Sequence, residues 1–153
     1  MKRQSGFTIL EILVALAIVG ILTATAVPLY HTWQGRAYGS EASIMLKQII
    51  GAEINYLLDN NKFYPDNATY MILHDGETDP QDAIQDIEEN LHITLSQGHF
   101  LEYYLQGSNV APDEGFFLTI RSKDAQFEIF KDAREIVVKM DKNGNVDHFY
   151  PHY

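Results

Sequence analysis

Residues 6–27 read GFTILEILVALAIVGILTATAV, and Glu11 is the one charged side chain in this stretch. A helix of roughly 20 apolar residues is long enough to span a bilayer. A charged side chain inside such a helix costs about 2.5 to 3.5 kcal/mol on insertion scales and usually marks function. Glu11 therefore needs a partner, and the stretch as a whole indicates a membrane-spanning or assembly helix.

The junction around this glutamate resembles a known processing site. Gly6-Phe7-Thr8-Ile9-Leu10-Glu11 is similar to the class III leader junction of type IV pilins and of the pseudopilins of type II secretion. In that family a prepilin peptidase cuts after the glycine, and the new N-terminal phenylalanine is N-methylated. The resemblance implies cleavage between Gly6 and Phe7, methylation of Phe7, and a role for Glu11 in filament assembly. It is specific over residues 1–33 and only architectural beyond them.

Two other interpretations of the N-terminus remain open. A basic start, an apolar run and the small-residue site Ala24-Thr25-Ala26 also describe a secretory signal peptide, whose removal would leave Val27 as the first residue. A plain signal anchor would retain Met1. A signal peptide gains nothing from Glu11, which argues against the first of these. Lys2 and Arg3 place the N-terminus on the cytoplasmic side in every case.

Composition limits the rest of the chain to one domain. A length of 153 residues fits a leader (1–6), a hydrophobic half-helix (7–29) and a single α/β head (30–153). The formal charge of −10 becomes −12 without Lys2 and Arg3, which disfavours nucleic-acid binding. The chain has no cysteine, whereas many type IV pilins close their C-terminal region with a disulfide. This departure leaves open a major pilin, a minor pilin or a pseudopilin.

The apolar stretch continues into an amphipathic segment, and together they predict one helix from Phe7 to about Asp59. Apolar residues at helical spacing indicate the face that packs on a sheet: Leu46, Ile50, Ile54, Leu57 and Leu58. The other side of the helix is expected to expose Arg36, Glu41, Lys47, Glu53 and Asn55.

Two residues weaken this helix near its middle. Pro28 removes a helical N–H and crowds the carbonyl of Ala24, so a kink or local unwinding is expected there. Gly20 lowers the stability of the helix by about 1 kcal/mol relative to alanine at the same position. The hydroxyls of Thr23 and Thr25 are available to carbonyls freed by a break. The resemblance implies that the stretch between Gly20 and Pro28 melts during assembly, whereas a modest bend in a continuous helix is expected for the free subunit.

The rest of the chain predicts an antiparallel sheet and one short helix. Pro80 followed by Ala83, Ile84, Ile87 and Leu91 indicates an amphipathic helix inside an acidic connection. Strands are expected at 100–105, 116–122, 127–131 and 135–140, and 146–150 could add another. Asn143-Gly144 is a hairpin signal. The fold class is therefore α+β and type IV pilin-like, with a long helix (about 7–59) on roughly four antiparallel strands.

Few residues suggest other chemistry. Asp141, Asn143, Asn145 and Asp147 alternate as in a calcium loop, but the closing glutamate is missing, so a hairpin turn is the preferred interpretation. His148 and His152 lie four residues apart in the C-terminal tail. His74, His92 and His99 have no partner at a spacing typical of metal ligands. No catalytic motif was found. We expect no enzyme activity, no cofactor and no metal.

The sequence therefore predicts a structural subunit of a type IV pilus or a related filament. Its expected partners are further copies of itself, a prepilin peptidase, an inner-membrane assembly platform and, before assembly, membrane lipid. The expected location is the inner membrane and then an extracellular pilus or periplasmic pseudopilus. A pseudopilin of a type II secretion system is the main alternative, and an exported soluble binding domain is another. Aromatic residues along the helix (Tyr30, Trp33, Tyr38 and Tyr56) are assigned to packing rather than to electron transport.

Overall fold

The computed structural model describes residues 6–95, 100–123, 129 and 133–149. They form two compact units, one ending at Gln34 and one beginning at Gly35. The elements in chain order are helix α1 (Ile9–Asn60), strands β1 (Thr69–Ile72) and β2 (Thr78–Asp79), helix α2 (Ala83–Leu91), and strands β3 (Leu101–Ser108), β4 (Gly115–Ser122), β5 (Glu135–Met140) and β6 (Val146–Phe149). The predicted α+β fold with a long N-terminal helix is confirmed.

The sheet has six described strands rather than about four, in the order β2-β1-β3-β4-β5-β6, and every pair is antiparallel. The additional strands β1 and β2 lie in the segment expected to be a connection. They are four and two residues long, too short for a periodic sequence pattern. The strand expected at 127–131 lies outside the described residues except for Ile129.

The core of the second unit lies between α1 and one face of the sheet. Because side chains alternate across a strand, every second residue of β3, β4 and β5 points to the same face. The buried side chains of this core include Ala42, Met45, Ile49 and Ile50 on α1, and Leu101, Tyr103, Leu105, Phe116, Leu118, Ile120, Ile136, Val138 and Met140 on the sheet.

Two positions on α1 differ from the expected face. Glu53 is fully buried, whereas Leu58 is 77% exposed. The buried face follows Ala42, Met45 and Ile49 at intervals of three and four residues, and Glu53 is the next residue of that series. Leu58 is five residues beyond Glu53, which rotates it away from this face. The prediction was wrong at both positions because it assigned faces by side-chain polarity.

The predicted short helix and hairpin are confirmed. In α2 the residues Ala83, Ile87 and Leu91 are buried at helical spacing. In the hairpin between β5 and β6, Gly144 has φ +78°, a left-handed conformation that glycine adopts without strain. The carboxylate of Asp141 accepts the N–H groups of Asn143 (2.8 Å) and Asn145 (2.9 Å), which fixes this turn.

The loop from Phe63 to Asn67 lies across the end of β3 and is held by contacts with Asn109 and Gly107. Asn109 binds Phe63 twice: its Oδ1 accepts the N–H at 2.6 Å, and its Nδ2 donates to the carbonyl at 2.9 Å. The carbonyl of Pro65 approaches Gly107 so closely that a Cβ on this glycine would lie 2.1 Å from the oxygen. Gly107 is therefore required for close approach of two backbone segments.

Two glycine substitutions should have opposite effects on stability. Gly107→Ala forces two backbone segments apart and should lower the free energy of unfolding by about 2 to 3 kcal/mol. Gly51→Ala adds a Cβ that meets no atom within 4 Å on an exposed part of α1, so it should raise the same free energy by about 0.5 to 1 kcal/mol. Urea unfolding of the full chain in detergent micelles measures both. Equal effects would contradict the described loop position.

Candidate functional site

The N-terminal end of α1 is closed by a capping box formed by Thr8 and Glu11. Thr8 Oγ1 accepts the Glu11 N–H at 3.2 Å. In return, Glu11 Oε2 accepts the Thr8 N–H at 2.8 Å and the Thr8 hydroxyl at 2.7 Å. The first N–H groups of a helix have no acceptor within the helix, and this reciprocal arrangement supplies acceptors for two of these N–H groups. The spacing Thr8-x-x-Glu11 signals such a cap, but the sequence-based expectation of a partner for Glu11 did not include it.

The cap supplies a partner for Glu11 without removing its charge. The carboxylate lies at the positive end of the helix dipole, where a negative charge is favoured. Its contacts come from a hydroxyl and a backbone N–H, neither of which carries a formal charge. The site therefore remains able to attract a cationic group such as a free α-amino group.

The apolar part of α1 that follows the cap is exposed on all sides within its own unit. Phe7, Ile9 and Leu10 are 84%, 82% and 71% exposed, and large apolar side chains remain exposed as far as Leu29. By length and composition α1 is able to cross a membrane, a property that signal sequences share. Apolar surface of this extent marks a site that contacts lipid or protein.

The predicted cleavage site lies next to the cap. Gly6 is exposed, and a Cβ built on it would meet nothing within 4 Å. Neither crowding nor a left-handed backbone conformation requires glycine here. A requirement for glycine at this position would therefore come from something that binds the junction.

The expected helix breakers lie inside an intact helix. α1 continues through Gly20 and Pro28. The threonine hydroxyls do not reach the carbonyl that Pro28 leaves unpaired. Thr23 donates to the Val19 carbonyl at 2.8 Å and Thr25 to the Leu22 carbonyl at 3.0 Å. This agrees with the continuous helix expected for the free subunit, whereas melting in a filament stays a prediction.

The turn that was considered for calcium is organised by Asp141 alone. Its carboxylate accepts bonds from Asn143 and Asn145, and these bonds lower the pKa of Asp141. In the described residues no group of three acidic or histidine side chains is placed to hold a metal ion. His99 and His152 lie outside those residues.

An ionic cluster lies on the sheet face opposite α1. The buried carboxylate of Glu102 is 2.6 Å from His74 Nδ1 and 2.5 Å from Arg121 Nε. Burial alone would raise the pKa of Glu102, but the bonds to His74 and Arg121 hold it below its usual range. Arg121 also stacks on the Tyr104 ring. The cluster satisfies its own charges, which is typical of a structural site.

Aromatic side chains on the head part of α1 are engaged in packing. The Tyr38 ring stacks on Phe100 with centroids 4.3 Å apart. The Tyr56 ring contacts Tyr64 edge to face at 5.5 Å. Both contacts agree with the packing role expected for these side chains.

The start of the chain, which contains the cap, is similar to a known sequence motif. Residues 1–27 match the family model for the prokaryotic N-terminal methylation motif. This stretch contains Gly6, Phe7 and Glu11 as well as Gly20, so four of the five site residues taken from the resemblance lie inside the matched region.

Relatives with assigned roles extend the match beyond the motif. The chain is 41% identical over 66 residues to a type IV major pilin protein, PilE1, of Neisseria gonorrhoeae, which covers 43% of this chain and 39% of the relative. It is 34% identical over 61 residues to the type IV major pilin protein PilA of Myxococcus xanthus, covering 40% and 28%. A fimbrial protein of Eikenella corrodens, EcpC, is 38% identical over 65 residues, covering 42% of each chain.

The motif and these relatives show that part of this chain is similar to type IV pilins. The long N-terminal helix and antiparallel sheet are consistent with the α+β fold of that family. The chain spans about two fifths of the length of the first relatives it matches. No solved structure matches it at a significant level.

Removing one half of the capping box should loosen the first turn of α1. Thr8→Val deletes the hydroxyl that accepts the Glu11 N–H, and losing a threonine cap costs about 1 kcal/mol. Hydrogen exchange of the Glu11 amide in the micelle-bound precursor should accelerate about fivefold. Thr8→Ser, which keeps the hydroxyl, is the matched control. Equal exchange rates in the two variants would contradict the cap.

Proposed function

We propose that this protein is a structural subunit of a type IV pilus, made as a membrane-inserted precursor, cut after Gly6 and polymerised through α1. The observation that carries the proposal is an ionisable carboxylate capping an apolar helix that is exposed on every side. The methylation motif and the type IV major pilins among the relatives support the same class.

Processing by a prepilin peptidase explains the unconstrained Gly6. Cleavage there creates a free α-amino group on Phe7, one residue before the cap. Lys2 and Arg3 are removed with the leader, so the helix loses its cationic start and gains one amino group, which is expected to be methylated. The proposed chain then presents a positive and a negative group within one helical turn.

Glu11 is proposed to pair with the Phe7 amino group of a neighbouring subunit. Because lipid is as apolar as the helices, apolar surface alone gives little preference for helix association over lipid contact. Removing one partner of an ion pair inside a dry helix bundle strongly destabilises the bundle, because the other charge is left uncompensated. The pair therefore fixes how far neighbouring α1 helices are shifted along one another. Repetition of this head-to-tail contact builds an open helical filament.

The head part of α1 offers a second surface for the same assembly. Ala37, Ile44, Gly51 and Leu58 follow one another at intervals of seven residues, and all are exposed. Ile44 is 55% and Leu58 is 77% exposed. Residues seven apart lie on nearly the same side of an α-helix, so these four form one exposed row. These residues support contact with α1 of another subunit.

The new N-terminus distinguishes this proposal from its alternatives. Intact mass and N-terminal sequencing of the mature chain should give methylated Phe7. A cleaved secretory peptide would give Val27, and a plain anchor would retain Met1. In the same assay, Gly6→Ala should slow leader removal and Gly6→Leu should abolish it. Normal processing of Gly6→Leu would contradict the assigned junction.

Substitutions of Glu11 and Thr8 test the contribution of the negative charge separately from that of the helix cap. Glu11→Gln keeps a side chain that suits a capping box but removes the negative charge. We expect this precursor to be inserted and processed normally but to be absent from sheared filaments, as expected also for Glu11→Ala. Thr8→Val keeps the charge without the cap and should still assemble. Normal filament yield from Glu11→Gln would contradict the ion-pair mechanism.

The system that uses the filament is a separate question. A pseudopilin of a type II secretion system would share the processing and the Glu11 contact. Deletion of the gene would then abolish secretion of folded proteins while surface pili remained. Loss of surface pili with normal secretion is the outcome expected for a pilus subunit.

A further inference from the structure

Glu53 is a carboxyl buried under the loop that follows α1. It has no exposed surface, although the sequence pattern suggested the opposite. Its Oε1 accepts the Tyr64 N–H at 2.8 Å. Its Oε2 is also buried and has no hydrogen-bond partner in the described part of the chain. One oxygen is thus bonded to the loop, and the other is without a hydrogen bond among the described residues.

One hydrogen bond does not compensate for burying a charge. Carboxylates that stay ionised when buried accept two or three N–H bonds or face a cation. Glu53 has a single neutral donor. Burial therefore raises the pKa of Glu53 to about 8, against the opposing effect of the Tyr64 N–H.

Titratable groups on the loop and on elements that contact it have partners of their own. Lys62 Nζ lies 3.2 Å from the Asp66 carboxylate. On β1 and α2, the Tyr70 hydroxyl donates to Asp86 at 2.7 Å. On its own helix, the Tyr56 ring packs on the Tyr64 ring.

In the described strands, the residues that point into the core carry no charge. The titratable residue of β3 that points into the core is Tyr103, whose pKa is raised by burial and by the charge of Glu41. The core-facing residues of the next strands are apolar: Phe116, Leu118 and Ile120 on β4, and Ile136, Val138 and Met140 on β5. Tyr64 itself has a pKa raised mainly by burial, so its phenol remains neutral.

The loop bound by Glu53 carries part of the core. Phe63 is 2% and Tyr64 is 5% exposed. The loop is anchored on the other side by Asn109 and by the close approach at Gly107. A charged Glu53 would gain hydration only if it left its place beneath the loop, and that movement breaks the Tyr64 contact.

We propose that Glu53 is a proton-dependent latch: its neutral carboxyl holds the loop from Phe63 to Asn67 closed over the core, and its ionisation loosens that loop. The latch belongs to the head and does not depend on the proposed filament. It makes the end of α1 the part of the head most sensitive to alkaline pH.

The direction of the pH effect follows from the raised pKa. The unfolded chain has a carboxyl of ordinary pKa near 4.5, whereas the folded chain keeps its proton to about pH 8. The stability that Glu53 provides is therefore fully present below pH 4.5, falls as the pH rises between these values and is lost above the higher one. This dependence is opposite to that of a carboxylate held in a salt bridge.

Unfolding of the full chain in detergent micelles tests the latch. The ratio of the unfolding constants of the wild type and Glu53→Gln should rise about tenfold per pH unit between about pH 5.5 and 7.5, because one proton is released on unfolding. The same ratio for Leu58→Gln, which places the same amide on an exposed position five residues further along α1 and changes no titratable group, should stay constant. A pH-independent ratio for Glu53→Gln would overturn the proposal.

Measurements on the wild type alone remain decisive if Glu53→Gln does not fold. The infrared carbonyl band of a protonated carboxylic acid should be present at pH 7 and disappear above pH 8. Over the same range, exchange protection of the Tyr64 amide should fall about tenfold after correction for the intrinsic rate. The Asn145 amide, bonded to the ionised Asp141, is the matched control and should not change. Unchanged Tyr64 protection, or no band at pH 7, would overturn the latch.

Discussion

The constraint on which the N-terminal half depends is that a carboxylate in a hydrophobic helix must always have a partner. In the free chain Thr8 and the first turn of α1 provide it. In the proposed filament the Phe7 amino group of a neighbour provides it more strongly, because that group carries a charge. Assembly then exchanges a local neutral contact for an intermolecular ionic one. The apolar surface that follows Glu11 allows this exchange to occur in lipid or between helices.

The same helix contains a second carboxyl, that of Glu53, whose surroundings favour the neutral form rather than the charged one. Glu11 lies at a helix start, where N–H groups and the dipole favour its charge. Glu53 lies on the buried face near the other end, where one N–H bond does not offset the loss of water. One residue type therefore supplies a charge in one unit and a neutral hydrogen-bond acceptor in the other. Position along α1 relative to the head core accounts for the difference.

The sequence predicted those features that depend on strong local patterns. The long helix, the short helix after Pro80 and the Asn143-Gly144 hairpin all have periodicity or turn chemistry that survives tertiary packing. The strands β1 and β2 were missed because pairing with β3 and with each other creates them. Glu53 and Leu58 were assigned to the wrong sides because polarity is a weaker guide to burial than the rotation of the helix. Gly6 and Phe7 were available only through a resemblance, whereas Glu11 was recognisable as the one charge in an apolar stretch and its cap at Thr8 was readable from spacing.

The contacts that fix the loop after α1 are made to its main chain and to two of its side chains. Asn109 binds the backbone of Phe63, Glu53 binds the Tyr64 amide, and Gly107 leaves room for the Pro65 carbonyl. The Asp66 and Asn67 side chains take part as well, because Asn109 Nδ2 donates to the Asp66 carboxylate at 2.9 Å and the Asn109 N–H donates to Asn67 Oδ1 at 2.7 Å. The side chains of Asp66, Asn67 and Asn109 therefore help to set the path of this loop, so the chemistry of this outer surface has little freedom to change without changing its shape.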